Sequence, residues 1–213
     1  MAAAILWDVD GTLVDSEPFH EAALIKALQS QDIEPPPGFH ALVVGHSAEE
    51  IHAWCQEHLG LGLGLQAWLE LKYETYFGTL DQLLARDGAV ELFRRLERGG
   101  VHQAIVSNSD RLIVEANLRA VGISAPRRVV VSRNDVREGK PHAEPYQRAA
   151  WLLGVEPSRC IVVEDSPTGA SAGVAAGMRT LFWPQDEVET PGGAERVADM
   201  AALTTILEGE IGR

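Results

Sequence analysis

The chain has 213 residues, which is long enough to bury a hydrophobic core. Of these residues 46% are hydrophobic and 23% are charged, a composition typical of a soluble globular protein. Acidic residues outnumber basic ones by 31 to 18, and the net charge of -13 argues against nucleic acid as a partner, because phosphate backbones attract basic surfaces. No apolar run could span a bilayer and the N-terminus lacks the basic segment of a signal peptide, so we expect a cytoplasmic protein with no membrane partner.

The first predicted element is a strand that leads into two acids. Residues 4–7 form an apolar run, typical of a strand buried on both faces, and Asp8, Asp10 and Gly11 follow it. Two carboxylates held close together disfavour each other's ionisation unless a cation lies between them. An ordinary polar turn fits the same residues, since Asp and Gly are common in turns.

The next segment, from Glu17 to Leu84, is predicted to be helical with no convincing strand. An apolar stripe runs along its first helix, at Ala22, Leu24, Ala27 and Leu28. The letters "HSAEE" contain a capping box, with Ser47 as the N-cap and Glu50 three residues later. The run "GLGLGL" follows a helix and lacks phosphate-loop spacing, so it predicts a helix stop and a connection.

From Asp87 onward the pattern alternates between helix and strand. Helices are predicted at 87–100, 111–123, 144–155 and 168–178, and strands at 103–110, 127–132, 160–166 and finally 179–183. Alternation of this kind predicts an α/β fold with a doubly wound, parallel, Rossmann-like sheet. We therefore expect a catalytic core formed by residues 1–15 and 85–213, with an α-helical cap domain, residues 16–84, inserted after the first strand.

Polar side chains follow several of these strands at the edge where ligands bind in such sheets. They are Asp8, Asp10, Ser107, Asn108, Lys140, Glu164 and Asp165. Each has an ordinary alternative: a lysine is usually a solvated surface residue, "SN" a turn, and a pair of acids a helix N-cap. Because all of them fall at the same edge, they favour a site in which Mg²⁺ relieves the repulsion between the acids. Lys140 and Ser107 would then contact a phosphoryl group.

Four segments carry a family resemblance. In chain order they are "DVDGTLVDSE", "VSNS", "GKPHAEPY" and "VVEDSPTGASAGVAAGM", and together they resemble the motifs of the haloacid dehalogenase superfamily. The match runs from about Ile5 to Trp183. It is best to the branch of phosphatases and β-phosphoglucomutase-like proteins, which carry a helical cap between the first two motifs.

The resemblance implies a role for each matching residue. Asp8 would be the nucleophile that forms an aspartyl-phosphate, and Asp10 the general acid and base. The phosphoryl group would be held by Ser107, the amide of Asn108, Lys140 and the loop amides that Gly11 allows to approach. Mg²⁺ would be held by Asp8, the backbone carbonyl of Asp10, Glu164 and Asp165.

The helical cap offers two further candidates for substrate binding, His20 and Ser47, for which surface or packing roles are equally compatible with the sequence. The remaining histidines show no metal pattern. The two cysteines, Cys55 and Cys160, lie far apart, which predicts buried free thiols in a reducing compartment.

We therefore expect a monomeric, Mg²⁺-dependent phosphatase that acts on a small phosphorylated metabolite. A β-phosphoglucomutase-like sugar phosphomutase is the alternative; it is disfavoured because the cap segment "VVGHSAEE" carries Ala48 and two glutamates where a mutase needs a cation for the second phosphate. A signalling receiver domain is a remote alternative that explains neither Asp10 nor the helical insertion. A true haloacid dehalogenase is also disfavoured, because it needs no acid at position 10. An inactive protein whose cap serves only to bind other proteins is disfavoured because none of the expected site residues is missing.

Overall fold

A computed structural model describes residues 2–43 and 46–211. The segment "VVGHSAEE" includes Val44 and Gly45, which lie outside the described residues, so the structure bears on that segment only from His46 onward.

The described strands form one sheet of six strands and one short ribbon. Their bounds are β1 Ala4–Trp7, β2 Val14–Asp15, β3 Leu84–Ala85, β4 His102–Val106, β5 Val129–Val131, β6 Cys160–Glu164, β7 Arg179–Phe182 and β8 Glu195–Arg196. The sheet has the order β5-β4-β1-β6-β7-β8, and every pair of neighbouring strands in it is parallel. The strands β2 and β3 pair antiparallel with each other.

Nine helices are seen in the part of the chain that the structure describes. They are α1 Glu17–Gln29, α2 Phe39–Val43, α3 Ala48–Leu59, α4 Leu65–Phe77, α5 Ala89–Arg98, α6 Arg111–Ala120, α7 Glu144–Leu153, α8 Pro167–Ala175 and α9 Met200–Ile211. Among these residues no helix has the length and apolar character needed to cross a membrane.

Strand β1 lies inside the sheet, between β4 and β6. Its side chains alternate between two apolar clusters: Ile5 and Trp7 pack into one, and Ala4 and Leu6 into the other. Since both faces of the strand are buried, an uninterrupted apolar run is what the fold requires here. The predicted fold class, a doubly wound parallel sheet with helices, is confirmed.

Helices α1 to α4 lie in the chain between β2 and β3, and they share an apolar cluster of their own. Leu28, Phe39, Ile51 and Trp68 are among its buried members. The ribbon of β2 and β3 brings the two ends of this helical segment together. The division into a core and a cap domain at residues 16 and 84 stays a prediction.

Three details of the sequence prediction were wrong. Ala22 is exposed, and Ala23 is buried in its place. Ala23 lies four residues before the buried Ala27, so the two share one face of α1. Leu84, placed at the end of the helical segment, already belongs to β3. The strand at 179–183 is not the last element, since β8 and α9 follow it; β8 has two exposed residues and therefore no apolar pattern.

Both cysteines, Cys55 and Cys160, are buried free thiols. The prediction of buried free thiols is confirmed.

Candidate active site

The predicted polar residues meet at the carboxyl edge of β1, β4 and β6. A pocket at this edge is lined by residues of the sheet edge and of the helical segment, namely Asp8, Asp10, Glu17, His20, Glu21, Leu24, Val43, His46, Ile51, Lys72, Ser107, Asn108, Ser109, Lys140 and Ser166. Parallel strands end together, and this geometry gathers side chains that are up to 158 positions apart in the sequence, from Asp8 to Ser166.

Lys140 lies at the centre of the acidic cluster. Its Nζ donates to Asp8 Oδ1 at 2.5 Å, to Glu164 Oε1 at 2.5 Å and to the carbonyl of Val106 at 2.9 Å. Burial alone would lower the pKa of this ammonium group, but the two carboxylates outweigh burial and raise it. Lys140 is therefore a fixed positive charge beside Asp8, at the position where a transferring phosphoryl group needs one.

Three buried carboxylates, those of Asp8, Glu164 and Asp165, each offer an oxygen within 4.8 Å of the other two. Burial, the charge of Glu164 and other nearby carboxylates raise the pKa values of Asp8 and Asp165 well above the ordinary value, although Lys140 opposes this at Asp8 and a hydrogen bond from Thr12 opposes it at Asp165. One lysine balances only one of three negative charges. A divalent cation with a preference for oxygen ligands would balance the other two, so this donor set fits Mg²⁺.

Glu164 is wholly buried, and Lys140, Tyr146 and Ser166 donate hydrogen bonds to its carboxylate. The hydroxyl of Tyr146 donates to its Oε1 at 2.6 Å, and Ser166 donates to Oε2 through its hydroxyl at 3.2 Å. Gly169 packs against this carboxylate so closely that a Cβ there would lie 1.9 Å from Oε1. Glu164 is thus held in one orientation toward Lys140.

The turn after β1 explains the glycine in "DVDG". Gly11 has φ +79°, and a Cβ at this position would lie 2.0 Å from Asp165 Oδ2. The amide of Gly11 donates to the carbonyl of Val14 at 2.8 Å. That amide is therefore engaged inside the turn, and Gly11 does not line the pocket, so its predicted contact with phosphate gains no support from this arrangement.

Asp10 accepts hydrogen bonds on both carboxylate oxygens. Its Oδ1 receives Ser16 Oγ at 2.7 Å and Asn117 Nδ2 at 2.8 Å, and His20 Nε2 lies 3.0 Å away. Its Oδ2 receives Ser107 Oγ at 3.2 Å and Ser109 Oγ at 2.8 Å.

This environment decides the protonation state of Asp10. Burial would raise the pKa of the carboxyl, but the neighbouring His20 and the hydrogen bonds from His20, Ser16 and Ser109 together hold it well below its ordinary value. In this arrangement Asp10 is an ionised acceptor, which suits a base that takes a proton from water.

The other predicted residues occupy different places. His20 lines the pocket and contacts Asp10, as a site residue would. Asn108 also lines it, and its amide side chain exchanges two hydrogen bonds with the backbone of Lys140, at 2.8 and 3.0 Å. Ser47 does not line this pocket; it accepts the N–H of Glu50 as the N-cap of α3, and it lines a neighbouring cavity with Lys140.

A sequence profile of haloacid dehalogenase-like hydrolases matches residues 2–177 of the chain. The chain belongs to the haloacid dehalogenase-like hydrolase family. This confirms the resemblance, and it leaves the receiver-domain alternative without support. The prediction of an enzyme of this hydrolase type is confirmed as well, and relatives that are named as phosphatases support phosphoric monoester hydrolysis.

Hexitol phosphatase A of Escherichia coli (strain K12) is 30% identical to this chain over 204 residues, which cover 95% of the chain and 90% of that protein. The crystal structure of CbbY from Rhodobacter sphaeroides in complex with phosphate superposes with a TM-score of 0.85 at 26% identity, covering 95% of this chain and 99% of that one. A β-phosphoglucomutase structure from Clostridium difficile, with a TM-score of 0.85 and 22% identity over 100% and 98% of the two chains, shows the shared fold.

Lys72 is a pocket residue of this family member that sequence analysis did not single out. It lies on α4, is only 7% exposed, and its ammonium group is 5.9 Å from the centre of the Trp68 ring. Burial lowers the pKa of its ammonium group, and the charges of Asp110, Asp10, Glu17 and Glu49 oppose that effect. The spacing Trp68-Lys72-Tyr76 was the available signal, because residues four apart share one helix face and both aromatic residues are buried.

Glu17 also lines the pocket, and it leads to a prediction on stability. Burial and the charges of Asp10 and Asp8 raise the pKa of Glu17 to about 8. Without metal, the folded protein keeps the proton on the Glu17 carboxyl up to about pH 8, whereas the unfolded chain loses it near the ordinary pKa of a glutamate. The stability of the folded state therefore falls as the pH rises toward 8. For a partly hydrated group, the ionised carboxyl costs the folded state only about 1 kcal/mol. Glu17→Gln should therefore unfold about 2–4 °C above the wild type at pH 9.

The measurement is thermal unfolding in chelator at pH 4 and pH 9, with the exposed Glu57→Gln as the control. The unfolding temperatures of the wild type and of Glu17→Gln should differ little at pH 4. An equal difference at both pH values would show that the gain does not come from ionisation.

Proposed function

We propose that this protein is a Mg²⁺-dependent phosphatase that hydrolyses a small phosphate monoester, such as a sugar phosphate, through an aspartyl-phosphate on Asp8. The observation that carries the proposal is the pairing of Asp8 with Lys140 inside a buried cluster of acids. A carboxylate beside a fixed ammonium group and a divalent-cation site can receive a phosphoryl group, whose negative charge the two cations offset.

The first half-reaction forms the bond between a carboxylate oxygen of Asp8 and phosphorus and breaks the bond from phosphorus to the ester oxygen. Asp10, in its protonated form, gives its proton to the departing alkoxide, which leaves as an alcohol. Ser107 and the amide of Asn108 bind the phosphoryl oxygens beside Lys140.

The second half-reaction uses Asp10 as a base. Water attacks phosphorus, its proton passes to the Asp10 carboxylate, and the bond between phosphorus and Asp8 breaks to release inorganic phosphate. The ionised Asp10 found in the site suits this step. This returns to Asp10 the proton that it gave to the alkoxide, so the two half-reactions balance.

Asp8, Glu164, Asp165 and the backbone carbonyl of Asp10 would hold Mg²⁺, which when bound supplies positive charge against the phosphoryl oxygens. We further propose that residues 16–84 act as a cap domain over the core. We also propose that the protein is a monomer and that it is located in the cytoplasm.

The test is release of inorganic phosphate from a panel of phosphate esters with Mg²⁺. Hexitol phosphates belong in that panel, because hexitol phosphatase A is a relative at 30% identity. Turnover of at least one small monoester is expected. Failure to release phosphate from any ester, by a folded protein with Mg²⁺, would overturn the proposal.

Lys72 favours a second candidate, a phosphomutase or an enzyme for sugar bisphosphates. The segment from His46 to Glu50 carries no lysine or arginine, but Lys72 supplies a cation from a different helix of the same segment. A CbbY variant from Rhodobacter sphaeroides has been crystallised with xylulose-(1,5)bisphosphate, and a second phosphate in this chain would have Lys72 as its natural partner.

The products from β-glucose 1-phosphate separate the two candidates. With Mg²⁺ and a catalytic amount of bisphosphate, we expect free phosphate or no reaction, since the carboxylate of Glu21 lines the pocket with Lys72 and repels a second phosphate. A coupled assay for glucose 6-phosphate is the measurement. Rapid formation of that product would select the mutase.

Replacing Lys72 tests its contribution to binding directly. Lys72→Met should raise KM about tenfold to hundredfold for a substrate with a second anionic group, the usual effect of a lost charged hydrogen bond. KM for a plain monophosphate should change little. Lys26→Met, which removes an exposed lysine of α1, is the control, and equal KM effects on both substrates would contradict a contact with a second anion.

A further inference from the structure

Asn117 is a wholly buried amide on the apolar face of α6. The other buried residues of this helix, Ile113, Val114 and Leu118, are all apolar. A polar side chain among them costs free energy unless it is fully hydrogen-bonded, so packing alone does not account for an asparagine here.

The amide of Asn117 bridges the site and the helical segment. Its Nδ2 donates to Asp10 Oδ1 at 2.8 Å, and its Oδ1 accepts the hydroxyl of Tyr76, on α4, at 2.8 Å. Asn117 and Tyr76 are both 0% exposed. Solvent therefore does not reach the amide of Asn117 or the hydroxyl of Tyr76.

The two bonds fix each other's direction. Asn117 turns its NH₂ toward Asp10 Oδ1, which leaves its carbonyl oxygen to accept from the hydroxyl of Tyr76. In the opposite orientation the amide oxygen would face the Asp10 carboxylate. The ring of Tyr76 is in turn stacked on His20 at 4.4 Å, and His20 contacts the same carboxylate oxygen.

We propose that Asn117, oriented by Tyr76, is a positioning residue that holds the Asp10 carboxylate in place for proton transfer. The inference rests on the proposed function, because it assigns Asp10 the proton-transfer role. Displacement of a catalytic group by about 1 Å can cost on the order of a hundredfold in rate. Asn117→Leu should therefore lower kcat about tenfold to hundredfold, while KM stays within about threefold of the wild type.

The chain offers a matched control in Gln103, a second buried amide with two hydrogen bonds. Gln103 accepts the indole N–H of Trp7 at 2.8 Å and donates to the carbonyl of Phe93 at 3.0 Å. It lies near the start of β4, at the edge of the sheet opposite the site. Gln103→Met should lower the unfolding temperature as Asn117→Leu does, but leave kcat within about twofold of the wild type.

A kinetic readout separates positioning from a loss of structure. With p-nitrophenyl phosphate the leaving phenolate needs no proton, so the first turnover should remain fast in Asn117→Leu while the steady-state rate falls. Rapid-mixing measurements of nitrophenolate release should then show a burst. Tyr76→Phe removes only the hydroxyl that orients the amide and should lower kcat about threefold to tenfold; it decides the question if Asn117→Leu does not fold.

Each outcome bears on the inference. A reduced kcat with unchanged KM and a preserved burst supports it. A kcat for Asn117→Leu equal to that of Gln103→Met, or an unchanged kcat for Tyr76→Phe, overturns it, provided that Asp10→Asn is inactive. If Asp10→Asn keeps full activity, or if the wild type hydrolyses no ester, the proposed function itself fails.

Discussion

Asp8→Asn is expected to lower turnover by at least about a thousandfold while the protein stays folded. The amide has nearly the shape of the carboxylate but cannot form the acyl phosphate. Asp8 is 6% exposed and close to Glu164, so its negative charge destabilises the folded state when no metal is bound. The variant should therefore unfold no earlier than the wild type in chelator, since its amide oxygen can still accept from Lys140.

Steady-state rates, thermal unfolding and trapping of the phosphorylated protein provide the measurement. The matched control is Asp15→Asn, an exposed acid of β2 outside the pocket, which should keep its activity. Asp10→Asn should still become phosphorylated slowly from an activated ester and then stall. A residual activity above about a thousandth of the wild type would show that Asp8 is not the nucleophile.

Removal of divalent cations is expected to abolish activity, and Mg²⁺ to restore it. Three buried carboxylates with one lysine among them leave excess negative charge, which would repel a phosphoryl group. Ca²⁺ should substitute poorly, because its longer and looser coordination misplaces the phosphoryl group. Full activity in excess chelator would contradict a metal-dependent mechanism.

Binding of the metal can be measured without turnover. Mg²⁺ should raise the unfolding temperature of the wild type, because a ligand that binds only the folded state stabilises it. Asp165→Ala should lose this effect, while Asp186→Ala, which removes a carboxylate that is 73% exposed, should keep it. An undiminished shift in Asp165→Ala would show that the ion binds elsewhere.

The central residues of the site could be predicted because each follows a strand. Asp8 comes after β1, Ser107 after β4 and Asp165 after β6, and each of these strands is an apolar run that the sequence displays plainly. Neighbouring parallel strands bring their carboxyl ends together, so the order of the elements alone placed these groups at one edge.

Other contacts depend on how distant segments pack, and no local pattern encodes them. Asn117 reaches Asp10 across 107 positions and Tyr76 across 41. Ser47, by contrast, makes a short-range contact that the five residues "HSAEE" predict. Its side chain forms the capping box with Glu50 and does not line the pocket.

The sequence by itself determined the class of fold, the edge of the sheet that holds the site, and the acids, hydroxyl and lysine gathered there, because apolar strands and the motifs that end them are local features. Only the tertiary structure decided which groups from the helices face those residues. Lys72 enters the pocket and Asn117 reaches Asp10 because α4 and α6 bury these polar side chains toward the site. The direction in which a helix presents a buried polar residue is set by packing against elements far away in the chain, and that information is not contained in the residue's own neighbours.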